Sequence, residues 1–380
     1  MPGLRRFAAI FILMMICTFM LCGCAAGNNA GELTITAEED ETPKEETQVT
    51  PEPEPEPEEA EAPEADDEDD YTDGLGDTFI GDTDESEVIE NKDVDLIFFM
   101  GQSNMSGAAG DASLAPHVSE DAGMEFRAIS DPTRLYPLTE PFGINENNPS
   151  GLTEYPGAKK GSLVSAFVNE YHELTGRRVV AVSVSMGATD METWMTPGVI
   201  ADVGGRYDSA VAFLKNNGYN IGHIYALWLH GESDAIKGTD PEVYRTDLDD
   251  IMRPLFIKGL QKVFIIAPGR TIDYKDIFLD IINMQKKICI ESGYYAMATT
   301  VLTKVSTEYM TDMHHYNQHV LNMVGIEAAK AAAYYTEHRE EKIVYDYREG
   351  KDIVPDGVEP DSQEKEDHIH LSEININEVY

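Results

Sequence analysis

The chain has 380 residues and a formal charge of −42, set by 70 acidic against 28 basic side chains. A surface so poor in cations cannot neutralise phosphates, so nucleic acid is excluded as a partner, and so is charge-driven attachment to anionic lipid. Of four cysteines, three lie within the first 24 residues; Cys289 stands alone in the remainder, so the fold must be held by core packing rather than by disulfides.

Residues 1–24 read as an export signal. Arg5 and Arg6 form a positive start, and Phe7 to Leu21 give an apolar run too short to span a bilayer comfortably. The run ends in Leu21-Cys22-Gly23-Cys24, which resembles the lipobox of bacterial lipoproteins. That resemblance implies cleavage before Cys24, a lipid on its sulfur, and an extracytoplasmic protein anchored to the bacterial cell membrane; a plain cleaved signal peptide is the alternative. Residues 25–92 are expected to be a disordered linker. Pro51 to Glu59 reads PEPEPEPEE, and such a composition cannot bury enough apolar surface to offset its ordering entropy. Proline stiffness and like-charge repulsion should keep it extended, as a spacer or else as a calcium- or protein-binding tail.

Residues 93–342 form the folded domain, and 343–380 an acidic C-terminal tail. Short apolar runs at 96–100, 179–184, 224–229, 263–267 and 295–299 read as buried strands. Helical patterns lie between them near 161–175, 205–217, 241–259 and 274–291, with a final helix over about 316–337. Strands that do not alternate, separated by helices, predict a three-layer α/β/α fold with a parallel sheet of about five strands. Ligands of such sheets bind beyond the carboxyl ends of the strands. The candidate chemical residues fall at those ends.

The first strand runs into Gly101-Gln102-Ser103-Asn104-Met105. A serine in a strand-to-helix turn suits a nucleophile with backbone N–H groups beside it, and equally a helix N-cap or a phosphate-binding turn. The second strand leads into Ser185-Met186-Gly187-Ala188-Thr189 and Trp194. The third ends in Trp228-Leu229-His230-Gly231-Glu232-Ser233-Asp234, and Asp312-Met313-His314-His315 precedes the last helix. Together these blocks resemble the sialate O-acetylesterase domain and carbohydrate esterase family six, branches of the SGNH-hydrolase superfamily, across about 91–338.

The resemblance implies the flavodoxin-like SGNH fold and a serine ester hydrolase that removes acetyl groups from sugars. Ser103 matches the nucleophile, His315 the general base and Asp312 its orienting carboxylate. Asp312 could instead cap the next helix, and His314 is the adjacent rival base. Gly187 matches an oxyanion-hole residue that donates its backbone N–H beside Ser103, though a tight turn would also explain it. His230 stands where the family has glutamine and is expected to complete the hole through a ring N–H, or else to point away as a packing residue and leave only the backbone donors. Gln102, Asn104 and Glu232 are expected to support the site. Trp194 could stack on a sugar or lie in the core, and the stretch from Arg127 to Pro156, with Arg134 and Tyr136, is long enough to shape the choice of sugar. No cofactor and no metal are expected: His315 and His319 share a helical spacing, but Tyr316 stands where a zinc protease needs glutamate. The expected substrate is an acetylated glycan of the sialate or xylan type. The alternatives are a lipase-like or peptidoglycan O-acetyl esterase, or a non-catalytic glycan-binding lipoprotein.

Overall fold

A computed structural model of the chain describes residues 92–272, 277–346 and 351–353. The export segment with Cys24, the acidic linker as far as residue 91 and most of the acidic tail lie outside the described residues. Seven strands build the main sheet: β1 (Asp93–Gly101), β2 (Gly123–Phe126), β3 (Leu135–Pro137), β4 (Arg178–Ser185), β5 (Asn220–Leu229), β6 (Lys262–Ile266) and β7 (Tyr295–Thr299). Their order is β3-β2-β4-β1-β5-β6-β7, and only the β2–β3 pair is antiparallel.

All five expected strands are present and parallel, in the three-layer arrangement read from the sequence. The sheet is larger than the expected five because β2 and β3 extend its edge. Their sequences, GMEF and LYP, are too short to show a period, and β3 ends in a proline that can donate no ladder bond, which suits an edge.

The helices are α1 (Ser103–Ser106), α2 (Val164–Thr175), α3 (Met191–Trp194), α4 (Pro197–Asn216), α5 (Glu232–Lys237), α6 (Pro241–Lys258), α7 (Leu279–Glu291) and α8 (Gln318–His338). The structure starts α4 at Pro197, well before the expected 205, because Gly204-Gly205 interrupts its apolar pattern while Pro197 makes a sound first residue. Two cores result. Ile97 and Phe99 of β1 face α2 and α8, through Phe167, Tyr171, Leu321 and Val324. Leu96, Phe98 and Met100 face the layer of α4, α6 and α7, through Tyr207, Leu248 and Ile281. A strand buried on both faces explains the unbroken apolar run LIFFM, each such side chain contributing roughly 1.5–3 kcal/mol on burial. Helix α8 sits close on α2 at Gly325, where a Cβ would lie 2.3 Å from the Leu163 carbonyl oxygen.

The end of β1 fixes the position of the site. Gly101 has φ 143°, and a Cβ there would meet the Leu229 carbonyl oxygen at 2.0 Å, so only glycine fits. Gln102 N–H then donates to that same oxygen at 3.0 Å, and the chain turns into α1 with Ser103 at the carboxyl edge of the sheet.

Candidate active site

Ser103 opens α1, where the first backbone N–H groups have no intrahelical acceptor. Its Oγ lies 2.7 Å from His315 Nε2. His315 Nδ1 lies 2.9 and 2.8 Å from the two oxygens of Asp312. An ionised carboxylate can only accept, so the ring proton sits on Nδ1, and Nε2 is left to accept from the serine hydroxyl. Burial opposes ionisation of Asp312. The His315 ring and the backbone N–H groups of His314 and His315 outweigh it, and they hold the carboxyl below its usual range. Those two backbone bonds close a tight turn, which is how three residues of chain bring the carboxylate back to the imidazole. Asp312 is not the helix cap: that place belongs to Asn317, which accepts from Val320 N–H at 3.2 Å at the start of α8. His314 does not bond Ser103; its ring lies tilted against His315 at 4.3 Å between centroids.

The three supporting residues tie the nucleophile turn to the other segments. Asn104 Nδ2 donates to Glu232 Oε1 at 2.8 Å and to the His314 carbonyl at 3.1 Å, while its Oδ1 accepts from Tyr316 N–H at 3.4 Å. Asn104 therefore holds the backbone on both sides of His315. Gln102 Oε1 accepts from Ser233 N–H at 3.3 Å and Gly231 N–H at 3.5 Å, which fixes the turn after β5. Glu232 is fully buried, and burial pushes its carboxyl up, with the Asn104 hydrogen bond pulling the other way. Its Oε2 has no hydrogen-bond partner among the described residues.

Gly187, the expected oxyanion donor, lies close to Ser103. A Cβ built on it would stand 3.5 Å from Ser103 Cβ and 2.9 Å from Glu154 Oε1. Its N–H donates to both Glu154 oxygens at 3.0 Å. Glu154 carried no signal in the sequence, because the segment from 143 to 161 has neither periodicity nor a motif. It is placed by Asn147, whose side-chain amide bonds the Glu154 backbone N–H at 2.9 Å and carbonyl at 3.0 Å. The same segment buries Lys159. Its Nζ donates to Ser185 Oγ at 2.9 Å, and burial lowers its pKa to about 8 against the pull of Glu154.

His230 does not make the contact expected of it. Its ring is wholly buried, 4.9 Å from Trp228 and 5.8 Å from Trp194 between centroids, and burial drives its pKa down to about 3. Both ring nitrogens are sealed from solvent without a completed hydrogen bond, although the Thr189 backbone faces the ring. Asp234, 3.7 Å from Nδ1, therefore faces a neutral ring and forms no ion pair. The packing of two tryptophans decides where this side chain points. Trp194 is likewise core: it is fully buried and donates from Nε1 to Thr189 Oγ1 at 3.0 Å. Tyr136 is enclosed by the Arg127 and Arg134 guanidinium groups, 3.9 and 4.4 Å from its centroid. Among the described residues no group of three His, Cys, Asp or Glu side chains is disposed to hold a metal ion.

The arrangement is a hydroxyl, an imidazole and a carboxylate in hydrogen-bonded series, a set able to act as nucleophile, base and orienting carboxylate. The sequence model of the family described as carbohydrate esterase, sialic acid-specific acetylesterase, matches residues 93–334. No curated protein sequence matches the chain. Among solved structures it is similar to a protein from Arabidopsis thaliana, with 16% identity and a TM-score of 0.45 over 62% of this chain and 96% of that one. It is also similar to a carbohydrate acetylesterase from Xanthomonas citri, with 14% identity and a TM-score of 0.42 over 66% of this chain and 58% of that one. A variant of an acetyl xylan esterase from Geobacillus stearothermophilus shows 11% identity and a TM-score of 0.35 over 66% of this chain and 99% of that one.

Proposed function

Because the chain belongs to the carbohydrate esterase family of sialic acid-specific acetylesterases, an ester hydrolase of the SGNH type, we propose that it removes acetyl groups from a glycan of the sialate or xylan type through an acetyl-Ser103 intermediate. The observation that carries this reading is the unbroken series from Asp312 through His315 to Ser103, at 2.8 and 2.7 Å.

The steps follow from the tautomer. Ser103 Oγ attacks the acetyl carbonyl carbon while His315 Nε2 takes its proton, and Asp312 stabilises the imidazolium so formed. The negative oxygen of the tetrahedral intermediate is met by the backbone N–H groups of Ser103 and Gly187. The bond to the sugar oxygen then breaks, and that oxygen takes the proton from His315. Water next attacks the acetyl carbon, giving its proton to His315. Acetate leaves, and Ser103 recovers its hydrogen. No step requires a cofactor.

The test is acetate release from acetylated xylan and from O-acetyl sialic acid by the purified protein and by Ser103→Ala. The variant is expected to fold normally and to lose at least about a thousandfold in kcat, the scale of losing a triad member. Wild-type turnover by Ser103→Ala would refute the mechanism. We further propose that the protein is secreted and held at the bacterial membrane by lipid on Cys24, a reading supported by the lipobox-like Leu21-Cys22-Gly23-Cys24.

A further inference from the structure

The Gly187 N–H, the candidate oxyanion donor, is taken by a carboxylate of the protein itself. Glu154 takes the Gly187 N–H with both oxygens at 3.0 Å, on the side of Gly187 that faces Ser103. A carboxylate on that N–H has the shape and charge of acetate, the product of the proposed reaction. An ester carbonyl can use Gly187 only when Glu154 releases it. A developing oxyanion brought to that N–H would be repelled by the carboxylate already on it.

Glu154 is 8% exposed, so its freed carboxylate needs new donors at once. Its backbone is pinned on both sides by Asn147, so the side chain moves while the chain stays. Lys159 supplies an opposite charge nearby, with one of its three N–H groups engaged with Ser185 Oγ. Hydroxyls of a bound substrate would add to these donors. Directly beside Glu154, Tyr155 is 82% exposed and offers an aromatic face to solvent. A carboxylate that must find donors, followed in the chain by an exposed aromatic residue, suits a sugar, whose C–H face stacks while its hydroxyls donate.

We propose that Glu154 is the specificity-determining residue for the alcohol side of the ester, exchanging the Gly187 N–H for sugar hydroxyls that neighbour the acetylated position, with Tyr155 beneath the ring. This rests on the carbohydrate acetylesterase reading above. An ester whose alcohol carries neighbouring hydroxyls compensates for uncovering the carboxylate, whereas an ester without them does not. The enzyme therefore selects sugars at the moment the oxyanion hole opens.

The experiment measures kcat/KM for the full-length protein, Glu154→Ala and Glu154→Gln. The substrates are p-nitrophenyl acetate and O-acetylated xylose and sialic acid, each sugar either with its neighbouring hydroxyls free or peracetylated. Wild type should prefer the sugars with free hydroxyls. Glu154→Ala should gain about tenfold on p-nitrophenyl acetate and lose about tenfold on those sugars, as expected for one hydrogen bond to a charged group. Glu154→Gln keeps the side-chain volume and one accepting oxygen, so it should fold and retain part of the preference. An equal change on every substrate in both variants, or no change, overturns the proposal while leaving the enzyme a carbohydrate esterase. Wild type that cleaves p-nitrophenyl acetate but no sugar ester refutes the carbohydrate reading, and the proposal with it.

Discussion

His230 shows how little a residue's type says about its work until its direction is known. At the end of β5 a histidine could turn toward the serine or into the sheet, and here it turns inward among Trp194, Trp228 and Tyr244. Its pKa, lowered to about 3 by burial, keeps the ring neutral and apolar in behaviour. Truncation should accordingly cost folding rather than chemistry. His230→Ala is expected to lose about 2–4 kcal/mol in denaturant unfolding, the scale of a cavity left by a large core side chain. Its kcat at saturating substrate should stay within a few-fold of wild type. A hundredfold fall in kcat with unchanged unfolding would return His230 to the oxyanion hole.

Between elements, the short α5 matters beyond its length. It carries Glu232, which holds Asn104, and Asp234, whose oxygens accept from Met191 N–H at 3.2 Å and from Thr239 Oγ1 at 2.8 Å. Asp234 thereby joins α5 to the start of α3. Burial raises its pKa from 3.8 to about 6, against the pull of Thr239 and the Met191 backbone. The folded state thus holds this proton more tightly than the unfolded chain does. The stabilisation is complete below about pH 4 and is lost as the pH rises through about 6. Asp234→Asn removes the titration. Compared by denaturant unfolding at pH 4 and pH 7, wild type should lose about 2 kcal/mol relative to the variant. The same difference at both pH values would show that Asp234 ionises as freely in the fold as outside it.

Over the whole molecule, the charge of −42 sets the surroundings in which the site works. Such a chain repels anionic surfaces, so attachment to a membrane requires lipid rather than basic residues. Replacing Cys24 with alanine should move the protein from the membrane fraction to a soluble or uncleaved form, read by fractionation and by the mass of the N-terminal peptide. Equal membrane association of the two forms, with no lipid mass on Cys24, would remove the anchor. Cys289 offers no substitute: it is buried, and burial pushes its thiol far up.

The sequence by itself determined the layers and pointed to the members of the candidate series, because both are written in short-range patterns. An apolar run such as LIFFM identifies a strand covered on both faces wherever it lies. Asp312 and His315 meet within one turn of chain, so their spacing nearly fixes their contact. Other features required the folded molecule. Ser103 and His315 are 212 residues apart in the chain, and only the sheet order and the Asn104 bonds bring them to 2.7 Å. Strands β2 and β3 are too short to have a period, and they exist because the edge of β4 accepts β2, which in turn accepts β3. The inward turn of His230 and the approach of Glu154 to Gly187 depend on packing and on the Asn147 bonds. Side-chain direction at a strand end, or in an aperiodic loop, is set by whatever long-range neighbours fill the space around it.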